Sequence, residues 1–113
     1  MGTALAAAAA AALIASGAAA PASAATALTV SLPSCHSPGS GDFQCSLSIS
    51  GGTAPYTTTW TGTWVTYTET GPTYAYGNCW VPGSGTGIAQ AVATVTDSAG
   101  QSVTRSANFS CRQ

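Results

Sequence analysis

The chain carries few side chains that could perform acid–base, nucleophilic or metal chemistry. Its single histidine is His36, and its three acidic residues are Asp42, Glu69 and Asp97. A catalytic triad would require His36 to meet a distant aspartate, and capping of a turn already explains Asp97 in its Asp-Ser-Ala-Gly segment. Glycoside hydrolysis needs two facing carboxylates and calcium needs several close oxygen ligands, yet the acidic residues are scattered. We therefore expect no catalysis, no metal and no cofactor.

Aromatic side chains are the group best suited to binding. Alternation over residues 56–64 places Trp60 on one side with Tyr56 and Trp64, and Tyr67 on the other, and Trp60 is large enough to centre a small core. Five aromatic residues between positions 64 and 80 are too many for so small a core to bury: Trp64, Tyr67, Tyr74, Tyr76 and Trp80. We predict that they form an exposed platform for stacking on sugar rings or for anchoring a protein partner.

Four cysteines in a short chain predict two disulfides. Zinc is the competing interpretation, but the spacings contain no Cys-x-x-Cys pair and the chain has one histidine. We expect the disulfides to involve all four cysteines: Cys35, Cys45, Cys79 and Cys111.

The N-terminal stretch is typical of a secretory signal peptide. Residues 1–24 are mostly alanine and end in small residues with an Ala-x-Ala pattern, while Ser16, Gly17 and Pro21 interrupt the run too early for a membrane span. We expect cleavage after Ala24, one secreted domain over residues 25–113, and no membrane attachment after cleavage.

The charge content limits the class of partner. The whole chain has two Arg or Lys and three Asp or Glu residues, which argues against nucleic acid and anionic membrane surfaces because both require a basic patch. Binding should rest on aromatic contacts and hydrogen bonds, with a polysaccharide or an extracellular protein as partner. We expect a monomer.

Short segments of alternating polarity separated by turn residues predict an all-β fold. The strand candidates cover residues 28–32, 43–50, 56–63, 64–68, 73–76, 78–81, 88–96 and 102–109, with loops at 35–42 and 82–87. The segment 64–68 either continues its predecessor or forms an added edge strand. About seven strands without a helical period favour an antiparallel β-sandwich.

Two motifs carry a family resemblance. Gly51-Gly52-Thr53-Ala54-Pro55-Tyr56 followed by Trp60, and Val92-Ala93-Thr94-Val95-Thr96-Asp97-Ser98-Ala99-Gly100, resemble the Ig-like domain of the PKD (polycystic kidney disease repeat) type over residues 27–111. The chain is also similar to small secreted actinobacterial proteins with cysteines near the strand ends. The resemblance implies an Ig-like sandwich that serves as a spacer, an adhesion module, or a carbohydrate- or protein-binding unit.

The resemblance also bears on the core and on the disulfides. It favours Ala89, Ala91, Ala93 and Val95 as the buried face of residues 88–96, over the alternative face with Ile88. It places all four cysteines near one end of the sandwich, where three pairings are open. We favour Cys35–Cys45 with Cys79–Cys111 over Cys35–Cys111 with Cys45–Cys79.

Three functional hypotheses follow. The first is a non-catalytic extracellular binding module whose contacts come from residues 64–80. The second is a small inhibitor of extracellular enzymes, which would need an exposed, disulfide-tethered loop such as residues 35–45. The third is a purely structural cell-surface domain, which the absence of any exposed aromatic cluster would favour.

Overall fold

The computed structural model describes residues 26–83 and 85–113, so the predicted signal peptide over residues 1–24 lies outside the described residues. Within these ranges the chain forms nine strands and no helix: β1 (Thr29–Val30), β2 (Ser34–Gly39), β3 (Asp42–Ser46), β4 (Ile49–Ser50), β5 (Thr57–Thr63), β6 (Val65–Thr70), β7 (Tyr74–Cys79), β8 (Thr86–Thr96) and β9 (Ser102–Arg112). The described part of the chain also lacks any helix with the length and hydropathy of a membrane span.

The strands form three antiparallel sheets. A four-stranded sheet has the order β2-β3-β7-β6, a three-stranded sheet has the order β5-β8-β9, and β1 pairs with β4. The two larger sheets pack against each other over one shared apolar core. The result is the all-β, sandwich-like architecture that the alternating sequence predicted.

Two disulfides hold the strands together, as predicted. Cys79 of β7 is bonded to Cys111 of β9 with their Cα atoms 6.0 Å apart, so this bond joins the two larger sheets. Cys35 of β2 is bonded to Cys45, its directly opposite neighbour on β3, with a Cα separation of 4.1 Å. The cysteines therefore adopt the pairing that was favoured from the sequence.

The inner face of β8 sets the thickness of the core. Ala89, Ala91, Ala93 and Val95 are each no more than 1% exposed, whereas Ile88 is 59% exposed. The prediction that the Ala/Val face of this strand is the buried one is confirmed. Because alanine contributes little volume, side chains from the facing strands must supply most of the packing.

Four aromatic rings fill the space that the alanines leave. Phe43 stacks on Phe109 with centroids 5.2 Å apart, and the Tyr67 ring meets Phe43 at 5.6 Å and Trp60 at 6.0 Å. Trp60 is 8% exposed, and its Nε1–H donates a hydrogen bond to the carbonyl of Gly71 at 2.9 Å. The prediction of Trp60 as a core residue is confirmed.

Asp97 joins two turns at one end of the sandwich. Its buried carboxylate accepts hydrogen bonds from the N–H groups of Thr53, Ala99 and Gln101 and from the Gln101 side-chain amide, at 2.7–3.1 Å. Gly52, at φ 64°, lies so close that a Cβ there would stand 2.8 Å from Asp97 Oδ2. The predicted turn residues on both sides of this contact are therefore held by one carboxylate.

The prediction of a loop over residues 35–42 is wrong. Residues from Ser34 to Gly39 form β2, and Ser40 and Gly41 make the tight turn into β3 with φ values of 58° and 77°. The strand forms despite its Ser/Pro/Gly composition because Cys45 fixes its register and because buried Ser37 accepts a hydrogen bond from the Arg112 N–H at 2.9 Å. Tertiary contacts override the local propensity here.

Two other strand boundaries differ from the predictions. The strand predicted over residues 43–50 is divided into β3 and β4, which lie in different sheets. Between them, the Leu47 N–H donates to the Thr73 carbonyl and the Ser48 N–H donates to Ser31 Oγ, so the chain leaves one sheet and joins the other. The candidates over residues 73–76 and 78–81 form the single strand β7, in which buried Gly77 lies between β3 and β6.

The four cysteines do not lie at one end of the sandwich, contrary to the prediction. Cys45 pairs in register with Ala75, which is four residues before Cys79 on β7. The two disulfides are thus separated by about 13 Å along the strand direction. They constrain different parts of the sheet instead of closing one end.

Replacing Trp60 tests the core assignment. We expect Trp60→Ala to lower the free energy of unfolding by about 3–5 kcal/mol, because it leaves a cavity against Tyr67 and an unpaired Gly71 carbonyl. Urea denaturation followed by far-ultraviolet circular dichroism measures the change. Trp80→Ala is the matched control, since Trp80 is 62% exposed, and should change stability by less than about 1 kcal/mol. Equal stability of the two variants would contradict the assignment.

The Asp97 contact predicts a loss of stability in acid. Partial removal of the Asp97 carboxyl from water acts to raise its pKa, but the N–H donors of Thr53, Gln101 and Ala99 outweigh this and hold the pKa below its ordinary value of 3.8. A depressed pKa adds stability above pH 3.8 that is lost as the pH falls through the lower, folded-state pKa.

Asp97→Asn should therefore be less stable than the native chain at neutral pH and should lose less stability on acidification. Urea midpoints measured at neutral pH and at about pH 3 give the comparison. Asp42→Asn is the control, because Asp42 is an exposed carboxyl on the opposite sheet. The same acid dependence in native chain and Asp97→Asn variant would show that Asp97 does not link folding to protonation.

Candidate functional site

The outward-facing side of the four-stranded sheet, here called the outer face, brings most of the predicted aromatic residues together. Phe43, Cys45, Ala75 and Cys79 point into the core, so the residues between them point to solvent. The outer face carries Ser34, His36 and Pro38 from β2, Asp42, Gln44 and Ser46 from β3, Tyr74, Tyr76 and Asn78 from β7, Thr66, Thr68 and Glu69 from β6, and Trp64 and Trp80 just beyond the strands.

Trp64 and Trp80 form an exposed pair at one end of this face. Their ring centroids are 6.1 Å apart in an edge-to-face arrangement, and the Trp80 N–H donates to the Trp64 carbonyl at 3.0 Å. Trp64 is 45% exposed and Trp80 is 62% exposed, so neither ring is needed to close the core. Two large apolar rings left in water are typical of a recognition surface.

The backbone of Trp64 is unusual for so large a residue. Its φ angle is 65°, in the left-handed region that bulky side chains rarely occupy. This conformation makes the turn from β5 in one sheet to β6 in the other and directs the indole onto the outer face. A residue held at a costly φ angle without a packing role indicates a functional constraint.

Tyr74 and Tyr76 form the second aromatic pair, further back along β7. Their ring centroids are 5.3 Å apart, and Tyr76 is 43% exposed. The Tyr74 hydroxyl donates to Glu69 Oε2 at 3.3 Å, and the negative charge of Glu69 raises the pKa of Tyr74. This hydrogen bond holds Tyr74 against β6. The two phenol rings lie next to the side chains of β3 on the outer face.

Tyr67 lies apart from both pairs. It packs against Phe43 and Trp60 in the core, and burial raises its pKa to about 12, although the Val92 N–H acts in the opposite direction. The prediction that Tyr67 and Trp60 face opposite sides is wrong. The chain changes sheets between β5 and β6, and this turn brings both rings to the interior despite their odd spacing.

A polar centre lies between the two aromatic pairs. Asn78 Nδ2 donates to Asp42 Oδ1 at 3.0 Å across β7 and β3, and Gln44 stands next to Asp42 along β3. Thr68 Oγ1 donates to the Tyr76 carbonyl at 3.3 Å on the other side. Sequence reasoning missed Asp42, Gln44 and Asn78 as site residues, although their alternation with apolar neighbours was a usable signal.

Three shallow depressions follow one another along β7. The first lies beside Tyr74 and Tyr76, the central one lies between Tyr76 and Asn78, and the third lies beneath Trp64 and Trp80, with volumes of about 220, 320 and 240 Å³. Tyr76 lines both the first and the second depression, and Asn78 lines both the second and the third. The three depressions therefore adjoin and form one groove.

The segment between Cys35 and Cys45 is a β-hairpin. His36 is exposed on β2, where it lines the first depression, and Ser37 is buried. Within residues 26–83 and 85–113, no three His, Cys, Asp or Glu side chains come close enough to hold a metal ion. The chemistry of this face is therefore that of aromatic rings, hydroxyls, amides and two isolated carboxylates.

No protein-family model, curated protein or solved structure matches this chain. The resemblance to the PKD type thus rests on the two turn motifs alone. Functional conclusions must come from the geometry of the outer face.

Replacing Trp64 tests whether its indole is needed for folding. The left-handed backbone costs a bulky residue about 1 kcal/mol, and the contact with Trp80 contributes about 0.5–1.5 kcal/mol. Because asparagine tolerates this conformation, Trp64→Asn should change the free energy of unfolding by less than about 1 kcal/mol, measured by urea denaturation. A loss of more than about 2 kcal/mol would identify Trp64 as a structural residue.

Proposed function

We propose that this protein is a secreted, non-catalytic module that binds a polysaccharide through the outer face. The observation that carries the proposal is the exposed Trp64–Trp80 pair, which adjoins a groove and has no role in the core. The apolar face of a sugar ring stacks on such indoles, while its hydroxyls need the donors and acceptors that line the same groove.

The chemistry beside the indoles matches a sugar. Asn78 and Thr66 line the depression below Trp64 and Trp80, and Asp42 and Gln44 line the neighbouring one. Amide, hydroxyl and carboxylate groups are the usual partners of sugar hydroxyls in protein sites. The side chains are held by strands, so little ordering is needed on binding, which favours affinity.

The proposed localisation and family follow from separate observations. Both disulfides are formed, which fits an oxidising extracellular compartment after removal of the proposed signal peptide. Gly51 and Gly52 both adopt positive φ, and Asp97 caps its turn, so both motifs that carry the resemblance to the PKD type form turns. We propose an Ig-like topology of this type on those features.

Two other hypotheses have less support. An inhibitor of extracellular enzymes would need a free loop at residues 35–45, but this segment is a paired hairpin whose Ser37 is buried. A purely structural role does not explain why the indoles of Trp64 and Trp80 are exposed to solvent, or why Trp64 adopts an unfavourable φ angle. A protein partner for the outer face is an alternative that the experiment below can distinguish.

Depletion from solution by insoluble polysaccharides tests the proposal. We expect the oxidised chain to bind at least one of cellulose, chitin or another neutral polysaccharide. Trp80→Ala should weaken that binding about tenfold, since truncating an aromatic contact in a binding site typically costs about 1–2 kcal/mol. Binding is measured as the fraction of protein left in the supernatant over a range of polysaccharide concentrations.

Ile88→Ala is the matched control. Ile88 is 59% exposed but lies on β8, in the other sheet. It should leave binding unchanged, which would show that loss of any exposed apolar side chain is not enough. Absence of binding to every polysaccharide, or equal effects of the two substitutions, would refute the proposed function.

A further inference from the structure

We propose that the ligand is an extended polysaccharide without negative charge, whose chain runs along β7 and occupies three consecutive subsites. This inference rests on the proposed function and adds the shape, the charge and the minimum length of the ligand.

The direction of the ligand follows from the order of the depressions. Tyr74, Tyr76, Asn78 and Trp80 are alternate residues, so all four face the same side of the sheet. The three depressions adjoin in this same order along β7. From Tyr74 to Trp80 the groove spans about 20 Å, roughly four pyranose rings placed end to end. A compact monosaccharide or disaccharide would fill only part of it.

The groove alternates between stacking surfaces and hydrogen-bonding groups. Aromatic pairs stand at both ends, with ring separations of 5.3 Å for Tyr74 and Tyr76 and 6.1 Å for Trp64 and Trp80. The polar Asp42–Asn78 pair lies between them. A straight chain presents sugar faces to both ends and hydroxyls to the centre at the same time. A coiled or branched chain would leave at least one end without a partner.

The charge distribution argues against anionic sugars. The chain contains no lysine, and both arginines, Arg105 and Arg112, lie on β9 of the other sheet. The outer face carries the carboxylates of Asp42 and Glu69 instead. A uronic-acid or sulfated polysaccharide would meet like charges without compensation, which costs affinity.

A length series of soluble oligosaccharides tests this inference. The probes are β-1,4-linked oligomers of glucose and of N-acetylglucosamine with two to six units, and oligogalacturonates of the same lengths as the anionic counterpart. Isothermal titration calorimetry on the oxidised chain gives the affinities. We expect one neutral series to bind about tenfold more tightly at five or six units than at two, and the oligogalacturonates to bind at least tenfold more weakly.

A variant at one end of the groove, compared with a control outside it, shows whether the subsites act together. Trp80→Ala should remove most of the gain that the native chain obtains from longer oligomers, because the third subsite is lost. Ile88→Ala should keep the full length dependence. The near-ultraviolet circular dichroism spectrum of each variant confirms that its packing is retained.

The outcomes separate this inference from the proposed function. If an insoluble polysaccharide depletes the protein but disaccharide and hexasaccharide bind equally, or neither neutral series binds, the three-subsite inference is overturned while the proposed function stands. Equal affinity for oligogalacturonates overturns the claim that the ligand carries no negative charge. Failure of both the depletion and the length series refutes the proposed function itself.

Discussion

The small side chains on the inner face of β8 determine how the two larger sheets pack against each other. Three alanines and one valine present almost no volume to the facing sheet, so the two sheets meet across rings contributed by other strands. The rings of Phe43, Trp60, Tyr67 and Phe109 occupy that space. Of the other aromatic residues, Trp64, Tyr76 and Trp80 are exposed to solvent.

The aromatic side chains of the outer face lie outside the core. The indoles of Trp64 and Trp80 and the phenols of Tyr74 and Tyr76 stand at the two ends of one sheet surface, with amide and carboxylate groups between them. The strand β7, which carries Tyr74 and Tyr76, is paired on both sides, and the bond between Cys79 and Cys111 ties its end to the other sheet. A preorganised aromatic surface of this kind suits a ligand that binds by stacking.

Local patterns predicted some elements well and others poorly. The alternation over residues 88–96 and the Asp97 cap could be predicted because each depends on residues close in sequence. The strand β2 was not predicted, because Pro38 and Gly39 favour a loop, and that preference is overridden by pairing with β3 and by the hydrogen bond between Ser37 and Arg112. The polar part of the site was missed because Asp42 and Asn78 are brought together only by sheet pairing.

The most direct test of the central claim is the mapping of amide chemical shifts in ¹⁵N-labelled protein during titration with the tightest-binding oligosaccharide. We expect the largest changes at residues 34–46, 64–68 and 74–80, with the Trp64 and Trp80 indole signals among them. We expect little change along the outward side of β5, β8 and β9. Shifts concentrated on that second sheet would contradict the claim that the aromatic outer face is the binding surface.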